Sequence, residues 1–123
     1  MDFPPNTPED AQQAFRDGYE AQMAGRLEEA IEHYSRSLAV HPTAEAHTFL
    51  GWALSFQGKH EEAIADYSAA LETNPRQVSS LFGRGVAKKR SKADGAADLS
   101  LAKSLDPDIA KEFAKYDVSE CSR

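Results

Sequence analysis

Apolar positions return along this chain in two alternating phrases. In residues 60–73, Ala63, Ile64, Tyr67, Ala70 and Leu71 fall at i, i+1, i+4, i+7 and i+8, the broad stripe of a half-buried helix. The stripe stops at Asn74-Pro75, because proline pushes the residue before it out of the helical region. The stretch before it carries Phe49, Leu50, Ala53, Leu54 and Phe56 at helical spacing. Thr43 supplies an N-cap and Gly58 a left-handed stop, which predicts a helix of about 14 residues between them. The first such phrase opens with Thr7-Pro8-Glu9-Asp10: a cap, a proline at the first helical position, then acids at the positive helix end.

The pattern repeats. Gly18 and Gly51, Gly25 and Gly58, Ala30 and Ala63, Tyr34 and Tyr67, Leu38 and Leu71, and Pro42 and Pro75 all stand 33 residues apart. A weaker third copy follows at an offset of 32, pairing Gly51 with Gly83, Asp66 with Asp98, Ala70 with Ala102 and Pro75 with Pro107. Such a period marks a stacked repeat protein. Each copy reads as two helices. Gly18, Gly51 and Gly83 fall mid-helix, where glycine costs about 1 kcal/mol against alanine, a cost a close helix crossing offsets. Ala30 and Ala63 are the expected small partners, and Tyr34 and Tyr67 the wedges between pairs.

These residues resemble the tetratricopeptide repeat, whose pattern is W-x2-L-G-x2-Y, A-x3-F and P. The second copy fits best, with His47, Leu50, Gly51 and Leu54, then Ala63, Tyr67 and Pro75. In the first, Asp17 stands where leucine is expected; in the third, Arg90 replaces the glycine between helices and Gly95 the second-helix alanine. A looser third pair is the expectation. The resemblance implies an all-α, right-handed helix-turn-helix solenoid of seven helices and no sheet. Residues 1–7 form a flexible arm, 8–42, 43–75 and 76–107 the three repeats, 108–117 a capping helix and 118–123 a disordered tail. Ile109 and Phe113 are expected to cover the last repeat, as a solenoid end requires for solubility.

Composition changes this picture little. The chain is 41% hydrophobic and 28% charged, with net charge −6, which disfavours generic nucleic-acid binding. The single cysteine, Cys121, cannot staple the fold. No run of apolar residues approaches a membrane span, and MDFPPNTPED lacks the basic-then-apolar order of a signal peptide, so the protein reads as cytoplasmic. His33, His41, His47 and His60 form no helical zinc pair, GRG at Gly83–Gly85 lies inside a helix pattern, and no nucleophile motif occurs. No metal, no cofactor and no catalysis are expected. The run Lys88–Lys92 reads first as cations at a helix C-terminus.

Family resemblance implies a concave face lined by the first helix of each pair. It maps onto Gln12, Phe15, Tyr19, Gln22 and Met23, then Thr48, Trp52, Ser55 and Phe56, then Gln77, Ser80, Arg84, Ala87 and Lys88. Tyr19, Trp52 and Arg84 take one slot in successive repeats. The implied function is a non-catalytic protein-interaction module that grips a partner's peptide. Phe15, Tyr19, Met23, Thr48, Trp52 and Phe56 line that groove, and Arg84 and Lys88 form its cationic end. On this reading Trp52 is exposed, and its truncation leaves stability nearly unchanged. One branch of the family clamps the C-terminal carboxylate of heat-shock chaperones with Lys, Asn and Arg. The places that correspond hold Phe15, Tyr19, Phe49, Gln77 and Leu81, so the clamp is absent. The alternative is a homo-oligomer that buries the aromatic groove or a solenoid end, with Phe3 of the arm able to fill the Trp52 pocket.

Overall fold

The computed structural model describes residues 6–114, and in them seven helices and no strand. They are α1 (Glu9–Met23), α2 (Leu27–Val40), α3 (Ala44–Phe56), α4 (His60–Thr73), α5 (Val78–Arg90), α6 (Ala96–Leu105) and α7 (Ile109–Ala114). The expectations for Phe3, for residues 115–117 of the capping helix and for the tail with Cys121 fall outside the described residues.

Each stop is written in the sequence. Helices α2, α4 and α6 end at His41, Asn74 and Asp106, all extended and each followed by proline. Helices α1, α3 and α5 end instead in a left-handed turn. The amide of Arg26 donates to the Ala21 carbonyl, that of Lys59 to Leu54 and that of Ala93 to Lys88, three copies of one capping motif. Gly25 and Gly58 hold the left-handed position at φ +83° and +84°. In the third turn Lys92 takes it, at φ +65°. Thr43 caps α3 as expected, its Oγ1 accepting from the Ala46 amide at 3.1 Å. Helix α1 begins one residue later than Pro8, which sits extended in the cap position.

Packing follows a two-layer plan. Helices α1, α3, α5 and α7 touch one after another, α2 and α4 each lie against the odd helices on either side, and α6 lies against α5. The odd helices therefore form the inner layer of the curve. The core runs through both layers, with Tyr34, Tyr67, Ala30, Ala53, Ala63 and Ala87 fully buried.

What the mid-helix glycines admit is a tyrosine. A methyl group at Gly18 would sit 2.6 Å from Tyr34 Cδ1, and one at Gly51 2.7 Å from Tyr67 Cε1. Gly83 meets the same Tyr67 ring, so that ring packs against two first helices. The expected alanine partners are buried, but the tyrosine is what the glycine accommodates.

The third repeat is framed differently from the sequence reading. Helices α3 and α5 have equal length at an offset of 34, and the left-handed residues Gly58 and Lys92 share it. Gly85, against Leu99, is thus the counterpart of Gly51 against Tyr67. Pro107 keeps its offset of 32 from Pro75 because α6 has 10 residues where α4 has 14. The pair does meet less extensively than the first two, although at its crossing the Gly85 and Gly95 backbones lie against each other where no side chain fits.

Candidate functional site

The inner layer carries an aromatic cluster with Phe49 at its hub. Its ring meets Phe15 at 5.0 Å, Trp52 at 4.8 Å and Tyr19 at 6.0 Å, all edge-on. Phe15 also meets Tyr34 at 5.4 Å. The cluster joins the first repeat to the second.

This corrects part of the expected groove. Trp52 is only 3% exposed and Phe15 only 1%, so both are core residues rather than exposed anchors. Phe15 packs against the rings of Phe49 and Tyr34, and Trp52 against that of Phe49. Thr48 is buried as well; its hydroxyl donates to the Ala44 carbonyl at 2.8 Å and lies 2.6 Å from Ser80 Oγ of α5. Tyr19 and Phe56 are half-buried, and Met23 is exposed.

The change of frame removes Arg84 from the ladder. With the offset of 34, Val86 follows Tyr19 and Trp52 in that slot, and Ser80 and Ala87 are fully buried. Arg84 turns to the outer layer, where it grips Asp98 through two hydrogen bonds of 2.8 and 2.9 Å and donates to Ser68 Oγ at 3.3 Å. Lys88 Nζ stands 3.2 Å from the same carboxylate. Both cations are spent on the fold and are not a cationic end of the groove. Burial works against the charged Asp98, but the hydrogen bonds and charges of Arg84 and Lys88 outweigh it and hold its pKa below the ordinary value. Arg84 is raised in turn, chiefly by its hydrogen bond to Asp98.

The clamp positions also move, to Ser79 and Gly83 in the third repeat. These are no more cationic than Gln77 and Leu81, so the clamp residues remain missing.

The inner layer does hold a cleft of about 370 Å³, between α3, α5 and α7. Phe49, Trp52 and Thr48 form its floor, and Glu45, Gln77, Ser79 and Glu112 its walls. Among the described residues no lysine, arginine or histidine lines it. Of these residues the sequence reading named Thr48, Trp52 and Gln77 for the groove; it missed Glu45, Phe49, Ser79 and Glu112. Glu45 was legible, being one turn before Thr48 and Phe49 on the same helix. Ser79 was masked by the two-residue error of frame.

A second hollow, of about 290 Å³, lies between α5 and α6 over Phe82, Val86 and Leu99, with Lys89, Arg90 and Lys103 around it. The basic run therefore divides: Lys88 pairs with Asp98, Lys89 and Arg90 border this hollow, and Lys92 makes the turn.

His47 Nδ1 lies 2.9 Å from Asp66 Oδ1, linking α3 to α4, so its role is structural. Among the described residues no three His, Cys, Asp or Glu side chains gather as metal ligands, and no helix is long and apolar enough to cross a membrane.

The repeat geometry agrees with sequence comparison. The tetratricopeptide repeat profile matches residues 15–76 and again 50–108, and the chain belongs to that family. No curated protein sequence matches it. Among solved structures it is similar to the Arabidopsis OM64 TPR domain, with TM-score 0.77 and 22% identity over 87% of this chain and 93% of that one. It is also similar to the first TPR of Spaghetti (RPAP3) bound to the HSP90 peptide SRMEEVD, with TM-score 0.78 and 19% identity over 92% and 94%. At these identities the likeness is one of fold.

Proposed function

We propose that the protein is a non-catalytic interaction module that holds a peptide segment of a partner protein in the cleft of its inner layer. The observation that carries this reading is the cleft itself: an aromatic floor of Phe49 and Trp52 beneath polar walls, on the face formed by α3, α5 and α7. Apolar floors with a few placed polar groups suit segment recognition. The similar Spaghetti (RPAP3) structure holds a peptide, which adds weight to the same use here. Trp52 contributes from beneath, while Tyr19, Met23 and Phe56 extend the surface along α1 and α3. Cytoplasmic location belongs to this proposal.

Self-association through the groove is the weaker reading, since it drew on an exposed Trp52 and that residue is buried; self-association through a solenoid end is the alternative that stands. The test is a comparison of partners captured by the wild type and by Ser79→Arg, which fills the cleft from α5. Partners lost on substitution, with an unchanged thermal melt, place binding in the cleft. Partners captured equally by both proteins would put it elsewhere.

A further inference from the structure

Charge is sorted by repeat along this chain. Residues 8–42 carry seven acidic residues against three basic, and 43–75 five against one. Residues 76–107 reverse the balance, with seven basic against three acidic. The repeats thus stand at −4, −4 and +4, so the two ends of the stack are opposite in sign. We infer that these ends mate: copies of the protein assemble head to tail, the acidic rear of the first repeat seating on the basic front of the third. This rests on the solenoid-end alternative and gives it a geometry; it does not depend on the cleft. A field of opposite sign at the two ends orients approaching copies in that sense.

The internal junctions show which faces meet. Arg84 of α5 reaches back to Ser68 of α4. Asp17 holds the same place in the first repeat and Leu50 in the second, at offsets of 33 and 34. Leu50 is buried, whereas Asp17, with no helix ahead of α1 among the described residues, is half-exposed beside a hollow of about 350 Å³ between α1 and α2. Asp10 and the exposed Val40 border that hollow. Arg36 lines it too, 3.3 Å from His33 Nδ1, so carboxylates outnumber cations there by two to one. At the other end, Leu99 of α6 holds the place of Tyr67, the ring that α5 covers through Gly83. Helix α7 lies against α5 and hardly meets α6, and Leu99 stays half-exposed. Around it Lys89, Arg90 and Lys103 are exposed and form no ion pair among the described residues. Asp10 and Asp17 of the next copy supply the anions this end lacks, and Val40 and Leu99 the apolar part of the seam. Because α7 keeps the α5 side, the seam is smaller than an internal junction and is held chiefly by charge. The contact joins unlike faces, so it extends into open chains.

The test is molar mass by sedimentation velocity on the full chain, across a concentration series at low salt and at about 0.5 M salt. Mass should climb with concentration at low salt and return to the 13.5 kDa of one chain at high salt, with association weakened at least tenfold. The double variants Lys89→Glu/Lys103→Glu and Asp10→Lys/Asp17→Lys should each remain monomeric, since their two ends carry like charge. Their equimolar mixture should assemble again, which a merely misfolded variant cannot do; thermal melts of each variant check the fold directly. A monomer at every concentration in low salt overturns the inference, and so does assembly that ignores both variants. Assembly abolished by Ser79→Arg would seat the second copy in the cleft and overturn it as well. An acidic protein captured by monomeric wild type, and lost with Lys89→Glu/Lys103→Glu, would assign the basic end to another partner instead. The cleft reading is judged separately, by partner capture with Ser79→Arg, and survives a monomer.

Discussion

At the scale of single residues, Trp52 reverses its sequence reading. It is the only tryptophan, it lies 3% exposed, and it packs edge-on against Phe49. Trp52→Ala is therefore expected to cost about 3–5 kcal/mol, as a large truncation in a packed core does. Urea denaturation checks this; an unchanged midpoint would return Trp52 to the surface. The two wedge tyrosines make a finer contrast. Tyr34 donates its hydroxyl to Gln22 Oε1 at 2.8 Å. At the matching place in the next repeat stands Ser55, too short for the role, and neither Ser55 Oγ nor the Tyr67 hydroxyl has a partner among the described residues. Tyr34→Phe should cost about 1 kcal/mol, whereas Tyr67→Phe should be neutral or stabilise by about 1 kcal/mol, because it removes a buried group without a bond. Burial also pushes the Tyr67 phenol well above its ordinary value. The unfolded chain then gives up this proton first as pH rises, so stability is lost above about pH 10. Tyr67→Phe should lessen that loss, which denaturant midpoints across the alkaline range would register.

At the scale of elements, much was legible and one ambiguity was not. The X-Pro stops, the Thr43 cap, the Gly25 and Gly58 turns and the paired helices all follow from local chemistry, and all are in the fold. The error of frame came from Phe82-Gly83-Arg84-Gly85, which offers two glycines two residues apart. The proline spacing of 32 favoured Gly83, and in the fold Gly83 does have a reason: it clears the Tyr67 ring. Gly85 has another, the crossing of Leu99 and Gly95. Nothing local says which crossing is the repeat's own, because a shorter α6 compensates an offset of 34 in α5. From that single slip follow the misplaced Arg84 and the missed Ser79. Burial of Trp52 was beyond the pattern too, since it depends on the side chains that gather around it in three dimensions, Phe49 among them. The same element supplies a prediction. Lys92 holds at φ +65° a place that glycine fills in the other two repeats. Lys92→Gly relieves a left-handed strain of about 1–2 kcal/mol, less the added freedom of glycine in the unfolded chain. A gain of about 1 kcal/mol in chemical denaturation is expected, and a loss would show that the lysine side chain holds the turn.

At the scale of the molecule, the two junctions between repeats are built from different forces. The first is the aromatic cluster around Phe49, built from rings without a carboxylate. The second adds a polar tie to the Tyr67 wedge: Asp98 of α6 grips Arg84 of α5, which also bonds Ser68 of α4. In a solenoid each repeat is stabilised mainly by its neighbours, so the weaker junction opens first. Asp98 is held below the ordinary carboxylate value by Arg84 and Lys88 against the opposing effect of burial. Its contribution is therefore complete above the unfolded value of about 4 and is lost as pH falls through the lower folded value. Protonation leaves Arg84 and Lys88 facing each other without their shared anion. Hydrogen exchange in acid should then show α5 and α6 losing protection while α1 to α3 keep theirs, and Asp98→Asn should bring that pattern to neutral pH. Uniform loss along the chain would mean that the junctions are of equal strength and that the ion cluster adds nothing the core does not already supply.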